Sequence, residues 1–154
     1  MLKSTRKVVF SISALILALM PVVSYSSTSD NTNYVVITHI NTKIKTVSIS
    51  RLQGIFGLKI KAWDDSTPIT VYTTTPLKKD HQNFCKYILG IFSHQLQRSW
   101  DRLVYSGRAN SPTIVSSFDE MINAIANTPG AIGYIPKSRI NSMVREVEIN
   151  GESE

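Results

Sequence analysis

The chain has 154 residues, with 17 Lys and Arg against 11 Asp and Glu, for a formal net charge of +6. Hydrophobic residues make up 42% and charged residues 18%, which excludes a disordered chain, since such chains are poor in apolar residues and rich in like charge. The length suits one domain, and the single cysteine excludes an internal disulfide framework and a Cys-rich zinc site.

Residues 1–26 have the layout of a secretory signal peptide. Lys3, Arg6 and Lys7 form a basic start, Val8 to Met20 is almost wholly apolar, Pro21 breaks the run, and cleavage fits after Ser24 or Ser26. The apolar run is too short for a comfortable bilayer span. The expectation is a cleaved leader, a periplasmic location and no stable membrane insertion afterwards. The absence of a cysteine near the cleavage region excludes a lipoprotein. Residues 27–154 then form one α/β domain with 14 basic and 11 acidic residues, net +3. Residues 43–108 carry net +7 and residues 117–154 net −3, so the whole-chain charge is no longer a strong pointer to nucleic acid.

In chain order, 27–33 is a polar lead-in and Tyr34 to Thr38 a buried strand. Asn41-Thr42 marks a turn. Ser48 or Ser50 caps a short helix carrying Leu52, Ile55 and Phe56, ended by Gly57. Trp63 to Pro68 is a turn-rich loop, and Ile69 to Tyr72 alternates as a strand. Thr75 as N-cap with Pro76 at the first helical position starts a helix running to about Leu89, with Leu77, His81, Phe84, Cys85 and Ile88 on its apolar face. A further helix spans about Ser93 to Tyr105. Ser117 and Glu120 form a capping box ahead of Phe118, Met121, Ile122 and Ile125. Ala131 to Ile135 reads as a strand, and Met143 to Ile149 as a strand with one solvated face. Strands separated by helices imply a layered α/β domain, a sheet flanked by helices. Cys85, on the apolar helical face, is expected to be a buried, inert thiol.

Three segments carry a family resemblance. They are Leu52 to Phe56 followed by Trp63; Trp100 through Gly107 with Pro112 and Val115-Ser116; and Met121 to Ile125 followed by Thr128-Pro129-Gly130-Ala131-Ile132-Gly133-Tyr134-Ile135. Their order resembles the phosphate-type periplasmic substrate-binding proteins of ABC transporters over residues 34–149. The resemblance implies a single lobe, half of a type-2 periplasmic binding protein, and a non-catalytic binding module. Such proteins carry a Gly-rich start and a Ser-Gly-Thr anion motif with a nearby Arg. This chain has neither, and after its second strand reads Thr73-Thr74-Thr75-Pro76-Leu77-Lys78-Lys79-Asp80-His81. Trp63 and Trp100 read as packing anchors.

Two readings of function follow, both binding. One is a protein-interaction or accessory module of the cell envelope, favoured by the missing anion motif. The other is weak binding of phosphate, sulfate or another small oxyanion at a helix N-terminus by Thr74, Thr75, Lys79 and His81, since hydroxyls, backbone N–H groups and a Lys suit an oxyanion. His81 also fits a packed core histidine. His39, His81 and His94 have no metal-binding spacing, and no Gly-x-Ser-x-Gly elbow is present. No catalysis, cofactor, metal or nucleic acid is expected.

Overall fold

A computed structural model describes residues 33–151. The segment read as a signal peptide, residues 1–26, and most of the polar lead-in lie outside the described residues.

Among the described residues, six strands and four α-helices follow one another: β1 (Tyr34–His39), β2 (Thr46–Ser48), α1 (Ile49–Phe56), β3 (Thr70–Thr74), α2 (Lys79–Tyr87), α3 (Ser93–Tyr105), β4 (Thr113–Val115), α4 (Phe118–Ala126), β5 (Ala131–Pro136) and β6 (Val144–Asn150). The strands form one mixed sheet in the order β2-β6-β1-β5-β3-β4. β1 lies antiparallel between β5 and β6, while β3 runs parallel to β5 and β4, and β2 parallel to β6. The expected sheet flanked by helices is the architecture found.

Strand parity divides the core. Tyr34 and Val36 of β1, with Ile132 and Tyr134 of β5, face α1, α2 and α3, where Phe56, Phe84, Leu96 and Trp100 meet them. Val35 and Ile37, with Ala131 and Ile135, face α4 through Met121, Ile122 and Ile125. Both central strands are therefore buried on both faces, which explains their continuous apolar runs. Gly133 lies beneath α4: a Cβ there would come within 2.7 Å of Ile125 Cδ1 and 2.9 Å of Met121 Sδ. Its missing side chain lets the helix seat on the sheet. Both tryptophans are anchors. Trp63 Nε1–H donates to the Gly130 carbonyl at 2.9 Å and Trp100 Nε1–H to the Phe56 carbonyl at 2.6 Å.

Of the two expected caps of α1, Ser48 is the one used, accepting the Arg51 N–H at 3.2 Å. Three other readings are corrected. β2 and β4 were not expected; each has three residues and is held by parallel pairing to a distant strand. β6 does not have one solvated face: Val147 packs with the α1–α3 side and Val144 with the α4 side. The helix after β3 starts at Lys79, three residues later than the Thr75-Pro76 signal implied, so Leu77 falls in the preceding turn and is 86% exposed. Pro76 fits the second position of a β-turn as well as the first position of a helix. Here the turn wins, closed by the Lys78 N–H donating to the Thr75 carbonyl at 2.9 Å.

Candidate functional site

Because β3, β4 and β5 are parallel, their C-terminal ends share one edge of the sheet, at Thr74, Val115 and Pro136. β1 is antiparallel to β5 and begins there, with Tyr34 opposite Pro136. The chain leaving β3 leads through the Thr75–Lys78 turn into α2, and Ser116-Ser117 leads from β4 into α4. The four residues expected to hold an oxyanion all belong to the β3–α2 part of this edge.

They divide by environment. Thr74 is 2% exposed and His81 fully buried, whereas Thr75 and Lys79 are exposed. Tyr134, from β5, joins the two inward residues to Thr73. Its hydroxyl lies 2.9 Å from Thr74 Oγ1, 3.3 Å from Thr73 Oγ1 and 2.9 Å from His81 Nδ1, and accepts the Thr74 N–H at 3.2 Å. Thr73 Oγ1 also lies 2.9 Å from His81 Nδ1, and Cys85 Sγ lies 3.4 Å from His81 Nε2. Thr73 and Tyr134 were not among the expected site residues. Their signal was a run of hydroxyls at the end of a buried strand, a Tyr in another buried strand, and a His on an apolar helical face.

Burial holds the His81 imidazole down to about 4, so it is neutral. Burial also pushes the Cys85 thiol up to about 12 and the Tyr134 hydroxyl above its ordinary value. The following arrangement gives each of these side chains a partner. Cys85 S–H donates to Nε2, and Nδ1–H donates to Thr73 Oγ1, whose own hydroxyl donates to the Thr74 carbonyl at 3.1 Å. Tyr134 O–H donates to Thr74 Oγ1 and accepts from the Thr74 N–H. The aromatic shell is close: the Tyr134 ring stacks on Phe84 at 3.9 Å, and Trp100 packs 5.7 Å from the imidazole. With every member neutral and paired, the cluster supplies neither a thiolate nor an imidazolium. It ties β3, β5 and α2 together. Tyr134→Phe keeps the stacked ring and removes the hub hydroxyl, stranding the buried Thr74 N–H. We expect a loss of about 2 kcal/mol in urea unfolding.

The β4–α4 junction is internally satisfied as well. Ser117 caps α4 by accepting the Glu120 N–H at 3.1 Å. The Glu120 carboxylate reaches past the cap to Ser116, accepting its N–H at 2.7 Å and its hydroxyl at 2.5 Å. These bonds hold the Glu120 carboxyl below its usual range, with a smaller contribution from Lys78. Lys78 Nζ donates to the Ser116 carbonyl at 2.5 Å. The Ser116 donors at this junction already hold the protein's own carboxylate. Asp119 adds a second negative charge to the first turn of α4 and pairs with Arg139 at 3.1 Å. Ser117→Ala should cost about 1 kcal/mol in thermal or urea unfolding through loss of the cap.

No family model and no curated protein matches the sequence. Solved structures do match in fold. An ABC-type phosphate transport receptor from Vibrio cholerae superposes with a TM-score of 0.60 at 14% identity, covering 75% of this chain and 45% of its own. PstS from Borrelia burgdorferi gives 0.59 at 20% identity, covering 79% and 48%. A Clostridium perfringens structure described as a phosphate ABC transporter substrate-binding protein with bound phosphate gives 0.58 at 19% identity, covering 78% and 46%. The described domain has the fold of part of these proteins, and the chain spans less than half the length of each. Among the described residues no helix is long and apolar enough to cross a membrane.

Proposed function

We propose that this chain is an exported, non-catalytic binding module that engages an envelope protein rather than capturing a free oxyanion. The fold it shares with substrate-binding proteins supports a binding role, and the layout of residues 1–26 supports export to the periplasm. One observation carries the preference for a protein partner. The polar residues at the end of β3 are spent inside the fold, and the Ser116 donors are held by Glu120. Large apolar side chains stand free for contact instead: Leu77 is 86% exposed, Tyr105 90% and Ile114 56%. The role fits an accessory part of an envelope transport, sensory or assembly system.

A photo-crosslinking residue at Leu77 or Tyr105, in protein expressed with its leader, tests this reading. A discrete crosslinked product in the periplasmic fraction is expected, together with a mature N-terminus at Tyr25 or Ser27. Uncrosslinked monomer from both positions contradicts it.

A second reading, weak binding of phosphate or sulfate beside Thr75 and Lys79, is favoured by one feature: no side chain caps the start of α2.

A further inference from the structure

At the opposite edge of the sheet, where β1 ends and β5 begins, three loops enclose a cavity of about 420 Å³. One wall is the chain from His39 to Ile44, another the Trp63–Thr67 turn, and the third Pro129-Gly130. Backbone and side-chain bonds fix all three. Trp63 holds Gly130 through its indole N–H, Trp63 N–H donates to the Thr67 carbonyl at 2.9 Å, and Arg145 donates to the Thr42 carbonyl at 2.7 Å. A cavity framed this way is largely formed before any ligand arrives, and its volume lies at the small end of the range for small-molecule sites, about 300–1,000 Å³.

The groups lining it are of two kinds. On the β1 side, His39 is 8% exposed and its Nδ1 accepts the Asn41 N–H at 3.1 Å. With Nδ1 accepting, Nε2 is the ring nitrogen that carries a proton, and it has no partner among the described residues. The Thr42 hydroxyl is buried and unpaired among the described residues, and Lys43 stands nearby with its charge. On the other side are carboxylates. Asp64 is held by Arg51 at 2.6 Å, whereas Asp65 accepts only from within its own turn, from the Thr67 N–H at 3.1 Å. The Thr67 hydrogen bonds hold the Asp65 carboxyl below its usual range, with a smaller contribution from the Lys43 charge, yet among the described residues no ion pair joins Asp65 to Lys43. Ile44, Trp63 and Pro129 supply apolar surface between.

A simple anion here would meet two carboxylates, and a simple cation would meet Lys43 and an N–H donor. We propose that the cavity binds a small zwitterion of amino-acid size, its carboxylate on His39 Nε2–H and Lys43, its ammonium on Asp65, and its apolar part against Ile44 and Pro129. The site is remote from the β3–α2 edge and stands whether or not the module engages a protein partner.

Titration of the ¹⁵N-labelled protein with L-leucine, followed at the Trp63 indole N–H resonance, tests this. A saturable shift by about 10 mM is expected, with 4-methylpentanoate and isopentylamine, which carry one charge each, binding at least about tenfold more weakly. Asp65→Asn and Lys43→Gln should each weaken leucine about tenfold or more, while Lys59→Gln, away from the cavity, leaves it unchanged. Both charges substituted are exposed, so the spectra of the variants report that the fold is intact. Absence of a saturable leucine shift overturns the proposal. So does equal affinity for a single-charge analogue, or a shift indifferent to Asp65 and Lys43.

Discussion

Gly130→Ala is expected to lower stability by about 3–5 kcal/mol, read as a fall in the urea midpoint at constant slope. Gly130 has φ +79°, in the left-handed region, where an L side chain costs roughly 1–2 kcal/mol by itself. The larger part is steric. A Cβ on Gly130 would lie 2.2 Å from the Pro68 carbonyl oxygen and 2.9 Å from Thr67 Cγ2. The first of these is backbone and cannot rotate away. Relief requires moving either the Trp63–Pro68 loop or the start of β5, and the bond from Trp63 Nε1–H to the Gly130 carbonyl spans the two. Gly107→Ala is the matched control. Its φ is +67°, but nothing lies within 4 Å of the added Cβ, so it should cost only the conformational share, roughly 1–2 kcal/mol. A similar loss at both positions would refute the packing account of the Thr128-Pro129-Gly130 turn.

Acidification should destabilise the protein through His81. The imidazole is fully buried, and burial holds its folded-state pKa at about 4, against an ordinary 6.5 when unfolded. The unfolded chain takes up the proton first, so this contribution is fully present above pH 6.5 and is lost progressively as pH falls to 4. The whole effect is about 3 kcal/mol, of which about 2 kcal/mol is lost between pH 7 and pH 5. The groups facing the ring are Thr73 from β3, Tyr134 from β5, Cys85 from α2 and Trp100 from α3. None carries a charge that would hold an imidazolium. Asp80, one residue before His81, is engaged by the Tyr34 hydroxyl at 2.6 Å. Urea unfolding at pH 7, 6 and 5 measures the slope, and His81→Gln should flatten it whatever its effect at pH 7. An unchanged slope in that variant would show that another group is responsible.

Legibility in the sequence depended on whether a signal was local. α1, α3 and α4 were readable because Leu52-Ile55-Phe56, Leu96-Trp100 and Met121-Ile122-Ile125 repeat at the helical period. β1 and β5 were readable as short apolar runs, since burial on both faces removes the polar alternation. β2 and β4 were not readable. Thr46, Thr113 and Ile114 are exposed, and these strands exist only through pairing with β6 and β3, far away in sequence. The start of α2 failed because Thr75-Pro76 is compatible with a turn and with a helix, and the choice depends on tertiary packing. The surroundings of the candidate site were legible only in part, for the same reason. That His81 is packed, and Cys85 buried and inert, was legible from the apolar face. That Tyr134 would meet them from 53 residues away was not.

The central proposal is that Thr73, Thr74 and His81 are structural and that the Ser116 donors are filled by Glu120, so that a protein partner rather than a free oxyanion is the ligand. Calorimetric titration of the purified protein with inorganic phosphate, and separately with sulfate, measures this directly. The account predicts no saturable heat and no rise in melting temperature at about 1 mM ligand, where a site with micromolar affinity would raise stability by several kcal/mol. Saturable phosphate binding that disappears in the Thr75→Ala, Lys79→Ala double variant would contradict it.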